Sequence, residues 1–337
     1  MTTPKRRLPV MADVAKEAGV SHQTVSRVLN DHPNVRADTR ARVEEAITRL
    51  GYRRNLVARA LVTKRSRTLG VVSFDTTLYG PASTIYGIEQ AARTAGYFVS
   101  IVSLRSIDAG SVRDAIDYLA EQGVDGVVVV APQRSAARAL ENLPSGLPAV
   151  AVEGTHRANV PVVCIDQIEG AKLATRHLLE QGHETVWHVS GPSDWLEAEG
   201  RLEGWRAALE EAGRPVPEPL AGDWSPRAGY EAGRSLAAMD GVTAVFTAND
   251  QMALGVLRAL SEEGVRVPDQ ISVVGFDDIP ESEFFSPPLT TVRQDFAVVG
   301  RHCIEVLLRQ IDAGPTVYER LVVPPSFVVR SSSAPVR

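Results

Sequence analysis

The sequence predicts an all-α N-terminal headpiece joined to an α/β body made of two doubly wound parallel-sheet lobes. Three observations carry this. Residues 11–30, MADVAKEAGVSHQTVSRVLN, read as two short helices around a tight turn. From Thr68 the pattern changes to short apolar runs alternating with amphipathic segments. Charge divides at the same place: residues 1–67 hold fifteen Lys/Arg against six Asp/Glu, a net +9, and the remainder carries −14, within a total of −5 over 337 residues. A basic module on an acidic body suggests a polyanionic partner for the first and a different task for the second.

In the first segment Val14, Ala15 and Ala18 share one face. Gly19 supplies positive φ without a Cβ penalty. Ser21 is a good N-cap for a second helix whose Val25, Val28 and Leu29 point inward. The small residues Ala15 and Gly19 let the two helices cross closely, as a helix-turn-helix that offers its second helix to the major groove. His22, Gln23, Ser26 and Arg27 stay outward; Gln can bridge adenine N6/N7 and Arg can bridge guanine O6/N7. Any amphipathic helix turns polar residues to water, so the whole string is diagnostic and no single residue is. Pro9-Val10 offers the first helix no side-chain cap, leaving Asp13 to complement the dipole. Asp38 is the expected cap of a third helix, with Val43, Ile47 and Leu50 on its inner face and Gly51 as terminator. Asn34, Arg36, Thr39 and Arg40 are placed to touch phosphates. Beyond them, Asn55 can cap a helix of about two turns carrying Val57, Ala58 and Leu61, too short to be stable alone in water.

In the body, strands are expected over 68–74, 97–104, 124–131, 148–153, 161–166, 185–191, 244–250 and 271–278. Helices are expected over 82–95, 112–122, 170–181, 202–212, 227–238 and 251–263. Such alternation gives parallel sheets covered on both faces. The strands are too many for one comfortable sheet, hence two lobes.

The string AGVSHQTVSRVLN (18–30), with GDWS (222–225), ANDQMALG (248–255), ISVVGFDD (271–278) and PPLTTVRQDF (287–296), closely resembles the lac-repressor (LacI/GalR) family. The resemblance runs from the headpiece to about Ser331. It implies a helix-turn-helix domain at 1–54, a hinge at 55–67, and a bilobed effector-binding and dimerisation domain of periplasmic-binding-protein type at 68–332. By the same analogy lobe 1 spans about 68–165 and 295–321, and lobe 2 about 166–294 and 322–332. The DNA-contacting set it implies is Ser21, His22, Gln23, Thr24, Ser26, Arg27, Asn30, Asn34 and Thr39. Asn55, Ala58 and Leu61 join them in a hinge that folds on DNA, with Leu61 as a minor-groove wedge.

Ligands of open α/β sheets bind at the carboxyl ends of strands. Glu153, Asn249 with Asp250, and Asp277 with Asp278 end three strands; Arg201 opens a helix, and Trp224 sits in the GDW loop. Carboxylates, an amide, a guanidinium and an indole face together suit a polyhydroxylated, uncharged ligand. The resemblance places Arg201, Trp224, Asn249, Asp277, Gln294 and Phe296 in the effector pocket. Glu153 stands where the family's namesake has the shorter Asp, and Phe74 where it has a small polar residue. Asp250 and Asp278 could instead cap helices, and Phe296 could be core.

The expected function is therefore a transcriptional repressor: a homodimer on palindromic operator DNA, switched by a small sugar such as a galactoside. The alternative is a nucleobase or phosphosugar corepressor. Leu254 and the FFSPPLTT loop (284–291) would face the dimer seam, and the namesake's tetramerisation tail is absent. No G-x-G-x-x-G follows a strand, and neither a Walker A loop nor a G-x-S-x-G elbow occurs, so no enzyme, catalytic residue or cofactor is expected. His177, Glu180 and His183 look like a metal set, but Gly182 is expected to end their helix, so no metal is assigned. Cys164 and Cys303 lie in apolar runs as buried free thiols. With neither a signal peptide nor an apolar run near the ~20 residues that span a bilayer, a cytoplasmic protein without a membrane partner is expected.

Overall fold

The computed structural model describes residues 9–53, 65–74, 77–104, 109–130, 132–135, 140, 146–153, 160–314 and 319–336. The chain divides into two compact units, Met1–Ser66 and Arg67–Arg337.

The first unit holds α1 (Met11–Ala18), α2 (His22–Leu29) and α3 (Ala37–Leu50). Gly19 (φ 64°) and Gly51 (φ 62°) close α1 and α3 in the left-handed region, which only glycine enters cheaply. Ser21 Oγ accepts the Thr24 N–H at 3.1 Å and starts α2. Val14, Val25 and Val43 meet in the core, ringed by Ala15, Ala18, Val28, Ala46 and Tyr52.

Two expectations are corrected here. Asp13 does more than complement a dipole: its Oδ2 accepts the Val10 N–H at 2.8 Å, the returning half of a capping box. In α3 the cap position is Arg36, and Asp38 lies in the first turn. Arg40 is also tied within the headpiece, where Asp31 Oδ1 (2.9 Å) and the His32 carbonyl (3.2 Å) each accept one of its guanidinium protons.

The second unit contains two six-stranded sheets. The first has the order β11-β5-β4-β3-β1-β2, with β1 (Thr68–Phe74), β2 (Phe98–Leu104), β3 (Gly126–Val130), β4 (Ala149–Val152), β5 (Val162–Ile165) and β11 (Arg320–Val323). The second has the order β12-β10-β9-β8-β6-β7. Its strands are β6 (Trp187–Ser190), β7 (Leu220–Ala221), β8 (Ala244–Thr247), β9 (Ser272–Asp277), β10 (Thr290–Arg293) and β12 (Ser326–Val328). All pairings are parallel except β10 with β12. Helices α4 (Tyr79–Thr94) and α10 (Phe296–Ala313) cover one face of the first sheet and α5 (Ala109–Glu121) the other. On the second sheet, α6 (Gln167–Glu180) and α7 (Leu196–Glu211) cover one face, and α8 (Pro226–Ala237) and α9 (Asp250–Glu262) the other. Covered on both faces, β3 and β9 are buried at every position, as parallel strands of a doubly wound sheet must be.

The chain passes between sheets after β5, after β10 and after β11. Because β11 runs to Val323, residues 322 and 323 belong to the first lobe rather than the second. Four side chains at strand ends start helices: Asp166, Ser225, Asn249 and Asp295 accept N–H groups of α6, α8, α9 and α10. Helix α7 begins well before the expected position, so Arg201 lies in its second turn rather than opening it. Gly200 and Gly204 lie within α7 and serve packing. A Cβ on Gly204 would sit 2.2 Å from the Ile168 carbonyl oxygen, so this glycine lets α7 lie against α6.

The HLLEQGH segment is structural. His177 Nε2 meets Ser333 Oγ at 2.9 Å, and His183 contacts Thr243 Oγ1 at 2.9 Å and the Ala334 carbonyl at 3.3 Å, fastening the C-terminal segment. Burial holds both imidazoles below their ordinary pKa. Among the described residues no cluster suits a metal ion, and no helix is long and apolar enough to cross a membrane. Cys164 and Cys303 are buried and unpaired.

Candidate DNA-reading surface and effector cleft

On α2, His22, Gln23 and Arg27 are exposed and Ser26 and Thr24 half-buried. Ser21 and Thr24 share a 2.9 Å hydroxyl contact, so both are committed to the helix start. Asn30 donates from Nδ2 to the Ser26 carbonyl at 2.9 Å, fastening the end of α2. Asn34 is exposed and Thr39 half-buried. Asn55, Ala58 and Leu61 lie outside the described residues.

In the body, a cavity of about 340 Å³ lies between the carboxyl ends of the two sheets. Seven of the eight ligand candidates line it: Glu153, Arg201, Trp224, Asn249, Asp277, Gln294 and Phe296. Phe74 does not; it ends β1 and packs against the second-lobe core cluster that contains Trp195 and Trp224. Sequence reasoning missed Tyr79, Gln167, Trp195, Glu197 and Gln251, all of which line the cavity. Gln167 could have been found, because it directly follows the Asp166 cap at a strand end. Glu197 could not, because the helix carrying it was expected to start later.

The centre of the site is a buried network. Arg201 donates from Nε to Gln167 Oε1 at 2.9 Å and from Nη1 to the Ala248 carbonyl. Its Nη2 lies 3.4 Å from Asp277 Oδ1, and its guanidinium stacks 3.9 Å over the Phe276 ring. Gln294 donates to the same Asp277 oxygen at 2.6 Å and accepts from Gln167 Nε2 at 3.0 Å. Gln167 and Gln294 stand beside two of the chain crossings, so this bond fastens the two crossing strands together. Asn249 is anchored at both amide atoms: Oδ1 accepts the Met252 N–H at 2.8 Å, and Nδ2 donates to the Trp224 carbonyl at 3.0 Å, fixing the GDW loop.

The neighbouring acids are braces. Asp250 accepts the Thr291 hydroxyl at 2.6 Å and the Ile279 N–H at 2.9 Å. Asp278 accepts from Arg293 at 2.5 Å and Arg330 at 2.7 Å. Neither caps the α-helix considered for it.

Glu153 (φ 56°), Trp224 (φ 74°) and Asp277 (φ 109°) adopt left-handed backbone at the cleft. Non-glycine residues there store ~1–3 kcal/mol each, strain typical of ligand sites. Burial pushes Asp277 up to about 6, against the pull of Arg201 and Gln294. Burial likewise raises Glu153, opposed by the Ile165 N–H, Arg320 and Arg201. Glu197 is raised by burial and by the nearby Glu153 charge. The aromatic lining meets edge to face: Trp195 with Trp224 (5.6 Å, 72°) and Tyr79 with Phe296 (5.9 Å, 77°).

Residues 10–55 match the model for bacterial regulatory proteins of the lacI family, and residues 175–333 match a periplasmic binding protein-like domain. The chain is 35% identical to the HTH-type transcriptional repressor PurR of Haemophilus influenzae over 96% of its own length and 98% of that protein. This chain belongs to the lacI family. In three dimensions this lacI-family chain is similar to the lac repressor dimer bound to operator and the anti-inducer ONPF. That match has TM-score 0.86 and 33% identity, covering 97% of this chain and 100% of the other. It is also similar to the transcriptional regulator CelR–cellobiose complex, with TM-score 0.72 and 34% identity over 96% and 99% of the two chains. Its relatives are repressors, and this lacI-family chain is a DNA-binding transcriptional repressor, not an enzyme.

Proposed function

We propose that a hydroxyl-rich saccharide bound in the cleft switches the affinity of a homodimer of this repressor for a palindromic operator. The observation that carries the ligand class is the make-up of the cavity. Its polar wall combines carboxyls and amides, and Arg201, the one cation among the described lining residues, is neutralised by Asp277. A phosphosugar would need a free cation. A flat nucleobase favours a parallel aromatic slot, whereas the rings here meet edge to face. CelR with cellobiose is a solved relative that holds a saccharide. The purine reading has its own support in the PurR relatives, and would require a base to lie on one indole face.

The switch follows from the wall being shared. Glu153 and Phe296 come from the first lobe, and Arg201, Trp224, Asp277 and Gln294 from the second. A ligand bonded to both sets the angle between lobes, and with it the spacing of the two hinges at 55–67. The division into a DNA-binding domain at 1–54, that hinge, and a bilobed body remains the organisation this mechanism needs. Leu61 is the hinge side chain assigned to the minor groove, and the DNA-reading set is that of α2 and its flanks. Leu254 (43% exposed) and Phe284 (80% exposed) supply apolar surface for the dimer seam. By linkage, operator and effector weaken each other by one common factor.

The test is a thermal-shift screen of the full chain against saccharides and nucleobases, followed by operator binding with each hit. A saccharide that stabilises the protein and releases operator supports the proposal. A purine hit that tightens operator binding overturns both the ligand class and the sign of the switch.

A further inference from the structure

Glu197 stands in the first turn of α7, where the second lobe is stitched to the first. Leu196 donates its N–H to the Pro132 carbonyl at 2.8 Å, and Arg134 donates its N–H to the Asp194 carbonyl at 3.1 Å. The Arg134 side chain also pairs with Glu199. Between these stitches and the Arg201 network, Glu197 lines the cavity with Oε2 shielded from solvent and without a hydrogen-bond partner among the described residues. Trp224 Nε1, on a side chain only 7% exposed, is a second unpartnered buried group of the same cavity.

The charges facing Glu197 can be placed one by one. Asp277 and Arg201 neutralise each other at 3.4 Å. Asp223 is exposed at the rim and accepts the Ser225 N–H. Glu153, from the first lobe, accepts the Ile165 N–H at 3.3 Å and feels Arg320 and Arg201 at a distance. Two carboxyls, one per lobe, therefore share a cavity whose one lining cation among the described residues, Arg201, is committed to Asp277, while Arg320 acts on Glu153 from outside the lining. Tyr79, Phe296, Trp195 and Trp224 stand around them. An ammonium has three donors and no acceptor, is attracted to aromatic faces, and favours the ionised form of both carboxyls, which the hydroxyls of a neutral sugar do not.

The geometry points to an effector that carries a protonated amine among its hydroxyls, an amino sugar, with Glu197 as the specificity-determining residue and Glu153 as its partner across the cleft. This rests on the saccharide reading above and sharpens it from the uncharged ligand expected from the sequence, which had not placed Glu197 in the site. Trp224 Nε1 then finds an acceptor among the ligand's hydroxyl oxygens. Because burial keeps both carboxyls above the ordinary range when the cavity is empty, a bound cation ionises them and expels protons, whereas a neutral sugar leaves them protonated.

The experiment is titration calorimetry of the full chain with matched pairs, glucosamine against glucose and galactosamine against galactose, with the N-acetyl forms as neutral controls. Each is run in two buffers of different ionisation enthalpy. The amine of a pair is expected to bind roughly tenfold or more tightly and to release protons. Glu197→Gln, which keeps the shape, should erase both the preference and the proton release. Glu153→Gln should reduce both in part. Neutral sugars binding as tightly as their amines would overturn the amine assignment and leave the saccharide reading standing. Purine binding with no response to any saccharide would overturn both.

Discussion

On α2, His22, Gln23 and Arg27 stand in water, whereas in the cleft Arg201, Asp277, Gln167 and Gln294 are buried and bonded to one another. Both regions recognise something, but they are prepared differently. The reading helix leaves its side chains free, and its fold depends on other residues: Val25 and Val28 inward, Ser21 and Asn30 at the ends. In the cleft, the residues proposed to meet a ligand are also those that hold two chain crossings together. Recognition and stability are therefore separable in the headpiece and joined in the cleft.

The largest test of that difference is Arg201→Ala. It strands Asp277 as a buried charge and leaves Gln167 half-bonded, so urea unfolding of the body should show a loss of roughly 3–5 kcal/mol. Effector response should vanish with it, while operator binding at low temperature persists. A variant that keeps its stability and response would show that the network is not the site.

The same burial should appear on the pH axis. His188 is stacked between Trp205 and Phe246, donates from Nδ1 to the Phe246 carbonyl at 2.9 Å, and is pushed down to about 4 by burial. The unfolded imidazole takes up a proton near 6.5 and the folded one only near 4. This contribution to stability is thus complete above 6.5 and is lost as pH falls through that window, about 3 kcal/mol in all. His188→Asn, which can still donate to the carbonyl, should lose less stability than the wild type between those pH values; parallel curves would sink the assignment.

In the headpiece, Gln23→Ala should leave the melting temperature unchanged while operator discrimination drops by roughly 1–3 kcal/mol. Equal losses on operator and on random DNA would mean that Gln23 positions the helix and does not read a base. Ser21→Ala is the smallest effect, about 1 kcal/mol of headpiece stability. It should appear in both folding and operator affinity, because Ser21 is both the cap of α2 and a member of the proposed DNA-contacting set.

Wherever neighbours in sequence make the structure, the sequence was enough. The 20 residues from Met11 to Asn30 contain the core face, the Gly19 turn, the Ser21 cap and the outward set, because i to i+4 spacing settles all four. The alternation of the body settled two covered parallel sheets, and the strand-end rule together with the family resemblance led to seven cavity residues. Tertiary structure decided the rest. The sequence could not show that Asp13 reaches back to Val10, or that Gly204 packs against Ile168. Nor could it show that Phe74 turns to the neighbouring core, that Asn249 is spent on Trp224, or that Glu197 enters the cleft. Strands as short as β7 and β12 show no period, and long-range pairs such as Gln167 with Gln294 leave no local trace. Local chemistry writes itself into adjacent residues; a cleft assembled from the ends of separate strands exists only once those strands are side by side.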